Sequence, residues 1–437
     1  MIKSRLSDWI DTYRSDLGAT PKILIAVSGG SDSLALLEAF HEVRDTHSLE
    51  LTAATVDHSL REGSAEEAEF VREISQSLRI PHQTLKLDWM TSENRRQAAA
   101  RQKRYRALSD CARACGASFI ATGHTLDDQI ETVLMRLNAG SGFWGLAGMA
   151  EISPVPVWPE GYGLQIIRPV MTLTRSDLQD YLRSRNTGWV SDPSNEDTDY
   201  ERVRTRRLLS GQTELWSHLL HICIEAGKMR DHACRRLTEW VNTSMEWLAG
   251  SSVRLARSSL NELTEESRGR LMQLIIATVS GREQFVDVAR MKAVLDQPDL
   301  EKGLTLGGCV LREEEAHILI VPELDQSNVR NADLGRTGQV WNGRVLFKRK
   351  SASDFTPWGD QSVPQRLRTL QLPSYPVRKA LPIIIGSDSR TKHVPHMESM
   401  GNERPHDLGP ERLMTLLRHP TEFFSRENGR RESFSGP

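Results

Sequence analysis

The chain has 437 residues, 38% of them hydrophobic and 26% charged, which is typical of a soluble protein with two or three domains. Its formal net charge of −2 at pH 7 excludes a broadly basic surface, so any RNA site must be a local patch. No apolar run approaches the roughly 18 residues of a membrane span, and the first residues lack the apolar core of a signal peptide, so we predict a cytoplasmic protein without membrane contact.

The first predicted elements are a short amphipathic helix within residues 1–20 and a buried strand rich in Ile and Val at residues 22–27. A glycine turn ends the strand. Three polar residues then precede an apolar helical run at about residues 34–44, and we expect them to cap it. The order is strand, phosphate-binding turn and helix, and the predicted nucleotide-binding residues of this stretch are Ser28, Gly29, Gly30, Ser31, Asp32 and Ser33.

Three physical features suit this turn to an anion. Glycines let backbone N–H groups approach closely, the helix N-terminus carries partial positive charge, and serine hydroxyls add donors. A carboxylate facing phosphates is repelled unless a cation lies between them, so Asp32 is predicted to bind Mg²⁺ or to act on the chemistry. The alternative is an ordinary glycine turn. The turn resembles the pyrophosphate-binding (PP) loop, Ser-Gly-Gly-x-Asp-Ser, of enzymes that split ATP into AMP and pyrophosphate.

Strands and helices alternate in the next part of the chain. Strands are predicted at residues 51–56, 83–87 and 118–122, and helices at residues 64–78 and 94–114. This order is typical of an α/β, Rossmann-like, doubly wound parallel sheet, whose ligands bind beyond the carboxyl ends of the strands. Further predicted nucleotide-binding residues follow two of these strand ends, namely Asp57, His58, Gly123 and His124.

An acidic helix start follows the fourth predicted strand. Asp127, Asp128 and Glu131 lie close together, and Asp128 and Glu131 share a helix face because they are three residues apart. Thr125 and Asp128 also form a capping-box pattern, which needs no function. Beside an ATP site, the acidic face would suit a divalent ion or an ammonium group, and we prefer this interpretation.

Residues 138–148 are glycine-rich with aromatics, which fits a mobile substrate loop or, equally, a turn between two helices. A hairpin is predicted at residues 150–170 and a helix at about residues 175–185. The arginine-rich stretch 200–207 is either a solvated helix face or a phosphate site, and we slightly favour the phosphate site.

The pattern changes after about residue 213 to long helices at residues 215–248 and 260–295, followed by strands at 303–311, 317–321 and 339–348. The predicted domains are an ATP-binding catalytic domain (1–212), a helical domain (213–298), a small β-containing α/β domain (299–385) and a partly disordered tail (386–437). The helical domain is predicted to bind tRNA only on the family resemblance described next.

Taken in order, these motifs resemble the bacterial tRNA(Ile)-lysidine synthetase family over roughly residues 20–210. The matching residues lie at 28–33, 56–61, 99–105, 123–132, 140–149, 168–169 and 192–195, followed by Arg202 and Arg206. One position departs from the family pattern: Ala139 stands where the family usually has an arginine before Gly-Ser-Gly, which puts a contact of that loop with RNA phosphate in doubt.

The resemblance implies an ATP-dependent ligase. In this family ATP adenylates the C2 oxygen of the cytidine at the first anticodon position of a CAU-bearing tRNA(Ile), and the ε-amine of free L-lysine then attacks C2 and displaces AMP to give lysidine. The resemblance also implies that the PP-loop residues and Asp32 bind pyrophosphate and Mg²⁺, and that Asp128 and Glu131 hold the lysine. Arg104, with Arg202 or Arg206, would neutralise phosphate and the adenylate.

Two rival functions remain open. A thiolating or amidating relative would need catalytic cysteines or a glutaminase motif; Cys111 and Cys115 fall on a predicted helix, not on a loop at the sheet edge. The second rival function is that of a module that binds ATP or tRNA without catalysis. The sequence does not decide between a monomer and a homodimer.

Overall fold

The computed structural model describes residues 1–57, 63–87, 97–190, 201–295, 300, 302–323, 331–347, 355–359, 362–363, 367, 372–385, 392–397 and 405–418. His58 and the predicted turn at 191–197 lie outside these residues. The described chain divides into two compact units, residues 1–232 and 233–418. None of the described helices is long and apolar enough to cross a membrane.

The first unit alternates strands and helices as predicted. Its elements are α1 (Ile2–Thr12), α2 (Arg14–Leu17), β1 (Lys22–Ala26), α3 (Ser31–Val43), β2 (Glu50–Asp57), α4 (Ser64–Ser77), β3 (His82–Lys86), α5 (Gln97–Cys115), β4 (Phe119–Thr122), α6 (Leu126–Asn138), α7 (Phe143–Leu146), β5 (Ile152–Pro154), β6 (Gln165–Ile167), α8 (Arg175–Ser184) and α9 (Glu201–Leu209). α10 (Thr213–Ser244) begins in this unit.

Six strands form one sheet in the order β3-β2-β1-β4-β6-β5. Neighbouring strands are parallel except for the edge hairpin of β5 and β6, which confirms the predicted hairpin. The strand order reverses between β1 and β4, where Ala26 pairs with Thr122. A crevice opens at such a switch point beyond the carboxyl ends of the strands, and there α/β sheets bind ligands.

The central strand β1 is buried on both faces. Ile23 and Ile25 belong to a core with α1, α3 and α8, whereas Leu24 and Ala26 belong to a second core with α5. A continuous apolar run is therefore explained by helices on both sides of a parallel sheet. The doubly wound fold class predicted from the sequence is confirmed.

The glycine-rich stretch contains a short helix, α7, between two turns. The side chain of Gln129 on α6 fastens it: its amide nitrogen donates to the Met149 carbonyl at 2.9 Å, and its oxygen accepts the Met149 N–H at 2.7 Å. Phe143 and Trp144 stack with ring centroids 5.0 Å apart. Of the two predicted interpretations, the turn between helices describes this geometry.

The second unit contains the rest of α10 and three small sheets. Its further elements are β7 (Met245–Leu248), β8 (Ser252–Ala256), α11 (Arg257–Leu260), α12 (Glu265–Ser280), α13 (Val288–Leu295), β9 (Leu304–Leu306), β10 (Cys309–Glu314), β11 (His317–Pro322), β12 (Ala332–Asp333), β13 (Gln339–Trp341), β14 (Val345–Phe347), β15 (Phe355–Pro357), α14 (Tyr375–Lys379), β16 (Pro382–Ile385), β17 (Lys392–His393), β18 (His406–Asp407) and α15 (Gly409–Arg418). The largest of the three sheets has the order β7-β8-β11-β10-β9, the second the order β12-β13-β14-β18 and the third the order β15-β16-β17.

Two helix predictions in this unit are wrong in extent. The helix predicted to reach residue 248 ends at Ser244, because the next four residues form β7 and pair with β8 across a turn in which Gly250 has φ +70°. The helix predicted at residues 260–295 is three helices, α11, α12 and α13. α12 ends at Ser280, and the next residue, Gly281, has φ +68° and forms a left-handed C-terminal cap.

Candidate active site

The turn between β1 and α3 is held by its own serines. The Ser28 N–H donates to Ser33 Oγ at 3.1 Å, and Ser33 Oγ donates to the Gly30 carbonyl at 3.1 Å. Gly29 has φ +85°, a left-handed conformation that favours glycine. Ser31 is the first helical residue and Gly30 the N-cap, so the expected capping by the three polar residues is wrong. The serines brace the turn, and the first N–H groups of a 13-residue helix stay available to an anion.

Asp32 lies at the open side of this turn. Its side chain is 21% exposed; Ser31 Oγ donates to Oδ1 at 2.9 Å, and Arg175 Nε donates to Oδ2 at 3.0 Å. Burial raises the pKa of Asp32 above its ordinary value, although the charge of Arg175 opposes the shift. Each carboxylate oxygen has a single described donor and keeps acceptor capacity for a cation.

Gly123, at the exit of β4, touches the start of α3. A Cβ atom added there would lie 2.9 Å from the backbone carbon of Asp32 and from the backbone nitrogen of Ser33. Backbone atoms cannot yield as a flexible side chain does. Only glycine therefore lets the carboxyl end of β4 pack directly against the PP loop.

We expect Gly123→Ala to displace the PP loop. The change should raise KM for ATP at least about tenfold and lower the free energy of unfolding by about 1–3 kcal/mol, as overpacking does. Steady-state kinetics and thermal unfolding measure both. The matched control is Gly227→Ala on α10, where an added Cβ meets nothing within 4 Å; it should leave KM unchanged and stabilise the chain slightly. An unchanged KM in Gly123→Ala would contradict the assigned packing.

Asp128 has two separate roles at the start of α6. Its Oδ2 accepts the Thr125 N–H at 2.8 Å and the Thr125 hydroxyl at 2.9 Å, which completes the predicted capping box. Its Oδ1 accepts a terminal nitrogen of Arg175 at 3.1 Å and one of Arg202 at 3.0 Å. Burial raises the pKa of Asp128, but the charges of Arg202 and Arg175 and the hydrogen bond from the Thr125 backbone outweigh burial, so the pKa lies below its ordinary value.

Glu131, one turn further along α6, is 2% exposed and lies between two guanidinium groups. Arg202 Nε donates to Oε2 at 2.8 Å, and Arg206 Nε donates to Oε1 at 2.8 Å. Both arginines come from α9, which packs on α6 through an apolar cluster containing Ile130, Val133, Leu134 and Leu209. The sequence predicted a lysine site and a phosphate site here, and in the structure these carboxylates and arginines pair with one another.

Arg175, the first residue of α8, is the site residue that sequence reasoning missed. Burial lowers its pKa, but Asp128 and Asp32 outweigh burial and raise the pKa above the ordinary value. Its backbone N–H donates to Asp127 Oδ2 at 2.8 Å. A capping box of Thr174 with Asp177 predicts a helix start at this position, but nothing local predicts a partner in the PP loop.

The remaining predicted residues lie around this centre in different ways. His124 follows β4 with Nδ1 2.8 Å from Thr122 Oγ1; burial and the nearby Arg168 charge hold its pKa well below the ordinary value, so the imidazole is neutral at pH 7. Asp57 is buried at the end of β2. Arg104 on α5 is half-buried, and no hydrogen bond or ion pair joins it to another residue of the described ranges. Burial lowers the pKa of Arg104.

Comparison with known proteins agrees with this geometry. A family profile described as a PP-loop domain matches residues 4–212. The doubly wound sheet, the serine-braced turn and this match define the class: a PP-loop enzyme that uses ATP.

Curated relatives are similar over most of the chain. A protein of Hyphomonas neptunium named tRNA(Ile)-lysidine synthase is 35% identical over 320 residues, which cover 71% of this chain and 86% of the relative. Proteins of the same name from Ruegeria pomeroyi and Brucella ovis are 30% and 34% identical and cover 79% and 78% of this chain, and 82% and 77% of their own lengths. The chain belongs to the tRNA(Ile)-lysidine synthase family, which confirms the predicted family.

Proposed function

We propose that the protein ligates L-lysine to C2 of the cytidine at the first anticodon position of a CAU-bearing tRNA(Ile), through an ATP-derived adenylate, with release of AMP and pyrophosphate. Membership in the family confirms the predicted ATP-dependent ligase that forms lysidine on tRNA(Ile). The observation that best supports the finer mechanism is the meeting of PP loop and acidic cluster: Asp32 and Asp128 accept hydrogen bonds from one guanidinium, that of Arg175.

The PP loop is the proposed site of the ATP phosphates. Its glycine backbone and serine hydroxyls, from Ser28 to Ser33, would donate to phosphate oxygens at the N-terminus of α3. Arg104 on α5 is proposed to add a positive charge, since it has no anionic partner among the described residues. Asp57, His58, Gly123 and His124 are proposed to border the nucleotide.

Mg²⁺ is proposed to bind at Asp32. The donor set fits this ion, because the carboxylate keeps acceptor capacity on both oxygens and Mg²⁺ prefers one or two carboxylates together with phosphate oxygens. Bound there, the ion would neutralise charge that develops on the phosphates. The chain's own part is to hold this carboxylate beside the turn, which Ser31 and Arg175 do.

Asp128 and Glu131 are proposed to hold the ε-ammonium group of lysine. The amine is protonated near pH 7 and must lose a proton before it attacks, so a carboxylate that orients the ammonium and accepts the proton serves both steps. Arg202 and Arg206 pair with these carboxylates now, but their side chains are 42% and 38% exposed. We propose that they turn toward phosphate and the adenylate when both substrates bind, because AMP leaves more easily when cations stabilise its charge.

Other parts of the proposal concern the partner and the setting. The wobble cytidine must leave its stack to reach the active-site pocket, and the glycine-rich stretch around α7 is proposed to contact the tRNA there. A cytoplasmic location fits an enzyme that acts on tRNA, and a homodimer stays a prediction.

The direct test combines the purified protein with ATP, Mg²⁺, labelled L-lysine and a tRNA(Ile) transcript with a CAU anticodon. We expect one labelled lysine in the tRNA for each AMP released, and no incorporation when the anticodon is changed to UAU. Pyrophosphate release without lysine incorporation would instead indicate a different adenylating modifier. Retention of tRNA with no AMP formed would indicate a binding module.

A further inference from the structure

One arginine links the two halves of the proposed active site. The guanidinium of Arg175 donates from Nε to Asp32 Oδ2 at 3.0 Å and from a terminal nitrogen to Asp128 Oδ1 at 3.1 Å. Its other terminal nitrogen lies 3.7 Å from Glu131 Oε1. Asp32 belongs to the PP loop, and the other two carboxylates belong to α6, so a single planar group spans both sites.

The position of Arg175 is itself fixed by the fold. Its backbone N–H bonds Asp127 at 2.8 Å, on the same turn of α6 as Asp128. At the other end of α8, Arg185 Nε lies 2.6 Å from Glu38 and its terminal nitrogen 2.5 Å from Glu42, both on α3. α3 carries the PP loop at its start, so α8 is clamped along the helix that holds Asp32. Beyond α8, the Val190 N–H donates to the Gly29 carbonyl of the same turn at 2.9 Å.

We infer that Arg175 is a positioning residue that holds the Asp32 carboxylate and the Asp128 carboxylate in one fixed mutual geometry. The inference rests on the proposed function, in which the first carboxylate serves ATP activation and the second serves the attacking amine. Such groups act only within a narrow range of positions, and a displacement of about 1 Å can cost about 100-fold in rate. Arg175 fits this task because its rigid fork places three nitrogens at fixed distances, whereas lysine offers one nitrogen on a flexible stem.

The test compares Arg175→Lys and Arg175→Gln with a matched control, Arg185→Lys. Arg175 is the first residue of α8 and Arg185 directly follows its last, and each bridges carboxylates of other helices. The partners of Arg185, however, lie further along α3, away from the PP loop. For both Arg175 variants we expect kcat to fall about 10- to 100-fold with KM for ATP and lysine within about threefold, since the residue orients carboxylates and is not proposed to touch substrate. Arg185→Lys should keep kcat within about twofold, although it should shift the unfolding midpoint about as much as Arg175→Lys does.

The outcomes separate the two proposals. Lysine-dependent AMP release by the parent protein must be seen first, and its absence would refute the proposed function itself. With that activity present, recovery of kcat in Arg175→Lys would overturn the inference, because charge alone would then suffice. Equal losses of kcat in Arg175→Lys and Arg185→Lys, in proportion to their unfolding midpoints, would also overturn it by making Arg175 a helix clamp only.

Discussion

An Asp32→Asn protein is expected to fold at least as stably as the parent chain and to lose lysidine formation by about 1,000-fold or more. The loss follows because asparagine keeps the shape of the side chain but removes the charge proposed to bind Mg²⁺ beside the phosphates, and groups that stabilise developing charge contribute about 10²–10³ each. Labelled lysine incorporated into tRNA measures the activity, and thermal unfolding measures the stability.

The stability half of this prediction comes from the direction of the Asp32 pKa. Burial raises that pKa above its value in the unfolded chain, so the folded state binds the proton more tightly than the unfolded state. The stabilisation linked to protonation is complete below the unfolded pKa and is lost as pH rises through the folded pKa. At pH 7 the ionised carboxylate therefore lowers the free energy of unfolding, and the neutral asparagine should match or raise the unfolding midpoint.

Asp45→Asn is the matched control, because Asp45 is a carboxylate of the same chain whose side chain is 95% exposed. It should change neither activity nor midpoint measurably. Near-normal incorporation by Asp32→Asn would remove Asp32 from the mechanism. A large fall in its midpoint would show that the carboxylate supports the fold, contrary to the pKa direction.

The PP loop could be predicted because its signals are local. An Ile- and Val-rich run, two glycines and a following apolar period lie within sixteen residues, and strand, turn and helix form there as expected. The convergence of Gly123 on the same crevice was also predictable, since parallel strands end at one edge. Its direct packing on the Asp32 backbone was not, because that distance depends on how β4 seats against α3.

The C-terminal end of α10 shows where local pattern fails. Residues 245–248, Met-Glu-Trp-Leu, are a short and mostly apolar stretch that suits a helix or a strand equally. They become β7 because β8 pairs with them in register and β11 pairs with β8 in turn, and those partners lie up to about 70 residues further along the chain. A local stretch of sequence that leaves out β8 and β11 therefore cannot decide between helix and strand at these residues.

Arg175 was missed for a related reason. Its neighbours predict a capped helix start, which is correct, but its partner Asp32 is 143 residues away along the sequence. The pairing of Arg202 and Arg206 with Glu131 was likewise hidden, because it depends on the packing of α9 against α6. The sequence contained the correct residue types, and tertiary structure decided which of them meet.

Glu131→Gln is expected to lower both stability and activity, unlike the change at Asp32. Glu131 is 2% exposed and accepts from Arg202 and Arg206, so glutamine leaves two guanidiniums without their shared negative charge. Removing one partner of a fully buried pair costs about 3–5 kcal/mol. Because both arginines are partly exposed and Arg202 keeps Asp128, we expect about 1–3 kcal/mol, measured by denaturant unfolding.

The same change should raise KM for lysine about 10- to 100-fold, the value of a charge-assisted hydrogen bond of about 1.5–3 kcal/mol, with a smaller change in KM for ATP. Glu225→Gln on α10 is the matched control, because Glu225 forms an exposed pair with Lys228 at 2.7 Å, and the loss of such a pair should leave the free energy of unfolding nearly unchanged. A Glu131→Gln protein that is destabilised but binds lysine normally would restrict Glu131 to holding α9 on α6. The ammonium group would then have to be held by Asp128 without Glu131.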